Sequence, residues 1–484
     1  MATDGGHRIS RRRFVEDAVA GTVGAAAGAI LARESPATAG SSVRPNIVLV
    51  FSDQQRWDTV DCYGAPLFPG LTPNLDQMAR RGVRFQYAFT PQPLCGPARA
   101  AMQTGRYATE TGCFRNGIAL DPNERTLARF LGEAGYDTAY IGKWHLGPAR
   151  GSDTDAALAD AVPPAYQGGY RHWLAANALE HTSHSYDGHM FDGRMQRVDF
   201  PPDRYRVDVL TDYAIEYLRS RDASRPFFLF VSYLEPHHQN DHGHFEGPRG
   251  SKERFRNHRV PVDLPDSPQP GDWREEMPDY LGSCNSLDAN LGRLLEQLKV
   301  MGAAGKTLVV YTSDHGCHFR THEGEYKRSC HDNSIRIPMI LSGPGFTGGK
   351  VRHELVSLID LPPTLLSAAA LTPPATMRGH ALQGLANGSV RDWPQEVFVQ
   401  ISEAGVGRAI RTRKWTYGVE APKGAVGSSD VYLEKYLFNL EADPGQHKNL
   451  AADARHAQVR TELRAMLKRR MVMSGEKEPE IKPA

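Results

Sequence analysis

The chain has 484 residues, 40% of them apolar, which is enough for a large core and leaves room for two or three domains. Lysine and arginine number 57 against 56 aspartates and glutamates, so net charge supplies no basic surplus for a nucleic-acid footprint. Six cysteines, at positions 62, 95, 113, 284, 317 and 330, are too few and too irregular for a disulfide framework or a Cys-x-x-Cys zinc site.

The first elements concern processing. Ser10-Arg11-Arg12-Arg13-Phe14-Val15 precedes an Ala/Gly/Val run over 18–32, and Ala37-Thr38-Ala39 offers a small-residue cleavage site. That order resembles a twin-arginine export signal over 1–39, which implies the twin-arginine translocation machinery as a partner and a periplasmic or extracellular destination. The run is too short and glycine-rich to span a bilayer, and no later stretch reads as a stable membrane span.

The run 46–51 (NIVLVF) is apolar on both faces, as a buried central strand requires, and Asp53 follows at its carboxyl end. Thr72 is placed to cap a helix carrying Leu75, Met78 and Ala79, closed by Gly82. Pro91-Gln92-Pro93 resists helix whereas 98–103 favours it, which puts Cys95 near a helix N-terminus, where anions are stabilised.

A helix over 126–134 leads to a strand over 138–141 and then Gly142-Lys143-Trp144-His145-Leu146-Gly147. Residues 150–201, polar and irregular, read as a long surface insertion. A helical period over 204–221 precedes a strand over 227–231 that ends at Glu235-Pro236-His237-His238. Leu287, Leu291, Leu294 and Leu298 mark another helix, followed by a strand over 307–311 and Ser313-Asp314-His315-Gly316.

A strand over 335–341 and a short helix over 361–370 complete an expected catalytic domain over 44–385. Shorter strand-like pieces at 397–401, 411–417 and 436–440 and a helix over 457–470 form a smaller C-terminal subdomain over 386–470, with a charged tail over 471–484. Four strand ends thus carry acidic, basic and imidazole groups, and parallel α/β topology gathers such ends along one sheet edge.

The Cys95-Gly96-Pro97-Ala98-Arg99 stretch, with its Cys-x-Pro-x-Arg spacing, resembles the signature of the formylglycine-dependent type I sulfatases of the alkaline phosphatase superfamily. The likeness extends from Pro45 to the Leu437-Phe438-Asn439-Leu440 and Asp443-Pro444 element. It implies an α/β fold, a large mixed β-sheet sandwiched by helices, plus a small C-terminal antiparallel sheet with a helix. It also implies that Cys95 is oxidised to formylglycine by a formylglycine-generating or equivalent modifying enzyme. Ala98 stands where the family usually has Ser, a departure that an enzyme reading Cys, Pro and Arg tolerates.

Position by position, Asp53, Gln54, Asp314 and His315, together with the modified Cys95, match the family's divalent-metal ligands. Oxygen donors suit Ca2+ first and Mg2+ second, while the imidazole leans softer. The resemblance makes hydrated formylglycine the nucleophile, with Asp314 accepting its proton and Arg99 fixing the modified residue. Lys143 then contacts sulfate, and His145 helps regenerate the aldehyde. Lys327 is a second sulfate-side lysine and His237 the acid for the leaving group. Spacing leaves His238 open as an alternative to His237, and leaves the pairing of Cys317 and Cys330 open.

The implied activity is hydrolysis of a sulfate ester of a small molecule or carbohydrate by an exported sulfatase. Two other readings stand beside it. One is a phosphonate or phosphate diester hydrolase, some of which also use formylglycine with Asp, Gln, Asp and His around the metal. The other is a catalytically silent glycan-binding relative.

Overall fold

The computed structural model describes residues 44–149 and 158–483, and the expected export signal over 1–39 lies outside them. Eleven strands form the main sheet. In chain order they are β1 (Asn46–Ser52), β2 (Val83–Phe89), β3 (Asp137–Lys143), β4 (His172–Ala176), β5 (His189–Asp192), β6 (Arg197–Asp199), β7 (Phe227–Ser232), β8 (Thr307–Ser313), β9 (Arg336–Ile337), β10 (Met339–Ser342) and β11 (Lys350–Ser357). Their order across the sheet is β11-β2-β10-β8-β1-β7-β3-β4-β5-β6, with β9 alongside β2. The central run β8-β1-β7-β3-β4 is parallel throughout.

Alternation along β1 explains the two-sided core. Ile47, Leu49 and Phe51 face one layer, against Ala98 and Met102 of the helix Cys95–Thr104 and Leu365 of the helix Leu361–Ala368. Val48 and Val50 face the other, against Met78 of the helix Pro73–Arg81, Leu210 of Arg206–Ser220 and Leu291 of Trp273–Val300.

Several elements differ from the sequence expectation. The stretch 150–201 is not wholly irregular, since it holds β4, β5 and β6, which extend the sheet with Trp173, Ala175 and Ala176 buried. The expected strand over 335–341 is broken at Pro338, which has no N–H for a ladder, into β9 and β10. Thr72 does not cap its helix: its hydroxyl accepts from the Asp61 amide at 2.8 Å, and the Asp288 carboxylate takes the Asn74 and Leu75 amides instead.

A second sheet follows, with β12 (Glu396–Ile401), β13 (Gly407–Thr412), β14 (Trp415–Glu420), β15 (Val431–Asn439) and β16 (Glu480–Lys482) in sequential order. The predicted single strand over 411–417 is the end of β13, a turn at 413–414 and the start of β14. Neighbours are antiparallel except β16, which returns from the charged tail to lie parallel to β15. Leu463, Leu467 and Met471 of the helix Ala457–Met473 cover one face of this sheet.

Candidate active site

Parallel register brings the site together. Ser52 pairs with Ser313, Phe51 with Ser232, and Gly142 with Ser232, so the chain segments that leave β8, β1, β7 and β3 emerge side by side. Gly142 permits this at φ +112°, because a Cβ there would lie 1.9 Å from the Ser232 carbonyl oxygen.

Asp53, Gln54, Asp314 and His315 are all fully buried. Asp314 Oδ1 accepts from the Gln54 amide at 3.0 Å and the His315 amide at 2.8 Å. His315 Nδ1 lies 2.9 Å from the Gly316 carbonyl oxygen, which can only accept, so Nδ1 carries the proton and Nε2 presents its lone pair. That lone pair faces Asp53 Oδ1 at 3.7 Å and Asp314 Oδ1 at 3.6 Å. Two carboxylates and an imidazole lone pair converging in a buried space fit a divalent cation. Ligand atoms of Asp53, Cys95, Asp314 and His315 all lie within 4.8 Å of one another. Gln54 Oε1 instead lies 3.4 Å from Lys327 Nζ. Burial, reinforced by Asp53, pushes the Asp314 carboxyl up to about 6.

Cys95 opens its helix directly after extended Leu94. Its Sγ, the atom that oxidation would replace, lies 3.0 Å from Lys327 Nζ, 3.3 Å from His315 Nε2 and 3.6 Å from Asp53 Oδ1. Burial pushes this thiol up, but Lys143, Lys327 and His315 outweigh it and hold it well below the usual range. Burial pushes Cys62, Cys113, Cys317 and Cys330 up to about 12. All six cysteines are free, so Cys317 and Cys330 do not pair.

Arg99 spans the cluster, with Nη2 at 2.9 Å from Asp53 Oδ2 and 3.3 Å from Asp314 Oδ2, and Nη1 at 2.9 Å from the Lys143 carbonyl oxygen. Lys143 Nζ is fully buried and lies 2.8 Å from both Asp53 Oδ2 and Glu180 Oε1. His145, at φ +60°, keeps both ring nitrogens without a hydrogen-bond partner.

Of the adjacent histidines, His237 is the one turned to the reaction centre. Its Nε2 is 3.0 Å from Lys327 Nζ, and its Nδ1 donates to the His238 carbonyl at 2.6 Å. Burial and Lys327 push the His237 pKa down, consistent with a neutral ring accepting from the ammonium. His238 also lines the cavity but stacks on the His237 ring and lies 4.4 Å from the Tyr326 ring, and burial pushes its pKa down.

Glu180 is the functional candidate that sequence reasoning missed. It is 4% exposed, holds Lys143 through Oε1 and keeps Oε2 without a partner. No motif surrounds it, and its only signal is its place just beyond the end of β4, a strand that polar neighbours disguise. A cavity of about 480 Å³ reaches Cys95, His145, Glu180, His237 and Lys327, and its wider wall includes Asn116, Arg320 and Glu403.

A parallel sheet edge that buries two carboxylates, a polarised cysteine at a helix start and two lysines defines an ester hydrolase built for an anionic group. The chain belongs to the sulfatase family of the alkaline phosphatase superfamily: residues 45–371 match the Sulfatase family, and 322–472 match the N-sulphoglucosamine sulphohydrolase C-terminal family. It is accordingly a sulfuric ester hydrolase. It is similar to an N-acetylglucosamine-6-O-sulfatase of Bacteroides thetaiotaomicron, 24% identical over 91% of this chain and 88% of the relative. A solved structure in complex with its substrate D-glucosamine-2-N,6-O-disulfate covers 90% of this chain and 99% of its own, at TM-score 0.72 and 23% identity. The phosphonate monoester hydrolase of Agrobacterium radiobacter shares the fold at TM-score 0.66 and 23% identity, over 89% of this chain and 96% of its own.

Proposed function

We propose that this sulfatase is exported and removes sulfate from a carbohydrate, using formylglycine formed from Cys95 and a calcium ion. The observation that carries the reading is Lys327 Nζ, 3.0 Å from both Cys95 Sγ and His237 Nε2, which joins the nucleophile position to the leaving-group position. The polar cavity above suits a hydroxyl-rich substrate, and a carbohydrate sulfatase among the relatives supports the class. The order of basic, apolar and small residues over 10–39 supports export.

Asp53, Asp314, His315 and Gln54 would hold the cation, whose chemistry is to polarise a sulfate oxygen. Arg99 orients Asp53 and Asp314, and Lys143 and Lys327 meet the negative charge of the sulfate group. The His237–Lys327 pair is placed to give a proton to the departing alkoxide, and His145, with both ring nitrogens free, to take one from position 95. Arg99, Lys143 and Lys327 balance Asp53, Asp314 and Glu180, so a bound divalent cation leaves an excess of positive charge that favours an ester anion.

Peptide mass spectrometry across position 95, with turnover of a sulfate-ester panel by wild type and Cys95→Ala, tests the nucleophile. Unmodified Cys95 in fully active protein refutes it. Aryl phosphonate turned over in preference to aryl sulfate would move the assignment to phosphonate hydrolysis. Retention of an Arg11→Lys, Arg12→Lys variant in the cytoplasm, with wild type exported, tests the destination.

A further inference from the structure

We infer that the protein carries a second cation site, for a first-row transition ion such as Zn2+, formed by His184, Asp241 and His242 outside the catalytic cavity. One ligand atom from each lies within 4.8 Å of the others. His184 Nε2 is 2.9 Å from Asp241 Oδ2, while its Nδ1 is 2.9 Å from Asp187 Oδ1. Asp187 and Asp241 can only accept, so both ring nitrogens of His184 carry protons in the free protein, and a cation replaces the proton on Nε2 while Asp187 keeps the one on Nδ1. The same relay recurs at His242, whose Nδ1 is bonded to Glu246 Oε1. A carboxylate behind each ligating histidine is the usual outer support of a metal-bound imidazole.

The carboxylate ligand is also held from behind. Asp241 Oδ1 accepts from Gln239 Nε2 at 2.9 Å, and buried Gln239 is itself bonded to the Glu180 and Ser183 carbonyl oxygens at 3.0 and 3.1 Å. Asp241 is thereby left with Oδ2 facing His184. The rings of His184 and His242 stack with centroids 4.7 Å apart, so a turn of one ring out of the stack brings both imidazoles onto one ion. Glu246 is fixed in turn by Ser185 Oγ at 2.7 Å.

Two imidazoles and one carboxylate form a donor set for Zn2+, with a fourth position left to water, whereas the Asp53 and Asp314 cluster is richer in oxygen and suits a hard ion. The ligands come from two segments, one following β4 and one following β7. An ion there ties the segment after Glu180 to the segment after His237, outside the cavity that both residues line.

The test uses the full chain, stripped with a chelator and then kept in excess Ca2+. Titration with ZnCl2 by calorimetry, and with CoCl2 by visible absorption, is expected to show one further equivalent with a low-symmetry Co2+ spectrum. His184→Ala and His242→Ala should each weaken uptake by more than tenfold, and Asp187→Asn by about tenfold, with aryl sulfate turnover in Ca2+ unchanged. Unchanged zinc affinity in these variants, or zinc uptake abolished by Asp53→Asn instead, overturns the site. Should either alanine variant fail to fold, exposed Asp187 still decides the matter, because unaltered affinity in Asp187→Asn refutes the relay.

Discussion

Glu180→Gln isolates one charge at the site while preserving shape. Lys143 Nζ lies 2.8 Å from Glu180 Oε1 and 2.8 Å from Asp53 Oδ2. At 2.8 Å and an effective dielectric of ~20, the Lys143–Glu180 attraction is about 6 kcal/mol before desolvation. Desolvation removes much of that, and glutamine keeps a neutral hydrogen bond, so a net loss of about 2–3 kcal/mol is expected. If Lys143 then turns wholly to Asp53, that loss falls on the sulfate contact and lowers kcat/KM by about 30- to 150-fold. The same rearrangement makes Lys143 compete harder for Asp53, so half-saturation by Ca2+ moves to higher concentration. Steady-state hydrolysis of an aryl sulfate over a Ca2+ titration reads both effects. A variant within about threefold of wild type, with an unchanged Ca2+ requirement, would refute the assignment of Glu180 as the residue that positions Lys143.

Other expectations follow from the same geometry. His237→Ala should slow alkyl sulfates by at least tenfold more than nitrophenyl sulfate, because only the poorer leaving group needs the proton; equal losses would remove His237 from that role. Asp314 titrates near 6 without metal, so below that pH the cation must displace a proton; Ca2+ affinity, measured by calorimetry, should fall about tenfold per pH unit there and level off above it. Gly142→Ala puts a methyl group 1.9 Å from the Ser232 carbonyl oxygen, and a loss of about 4 kcal/mol or more should appear as a lower unfolding midpoint or insoluble protein.

The apolar runs of β1, β7 and β8 were legible because strands buried on both faces carry no alternation to misread, and each leads into a polar segment that reaches the site. β2 and β11 were missed: in VRFQYAF and KVRHELVS, charged and polar residues break the apolar pattern, and β11 lies at the sheet edge with much of it exposed. Glu180 was invisible for a related reason, since its role depends on a strand hidden inside a polar stretch. The choice between His237 and His238 depends on backbone direction after Pro236, which residue spacing does not encode. Only the fold, by placing Lys327 against one ring and Tyr326 against the other, separates them.

The burial of position 95 also orders events in time. Cys95 is 1% exposed, and every residue of its helix through Thr104 is buried beneath the sheet edge. In the folded protein the Cys95 side chain borders the cavity, while Pro97 and Arg99 are buried in the helix. A modifying enzyme that reads Cys95, Pro97 and Arg99 together would find all three exposed only before the chain folds. If the oxidation proposed at Cys95 needs those side chains exposed, the share of active protein is set by a race between modification and folding at synthesis.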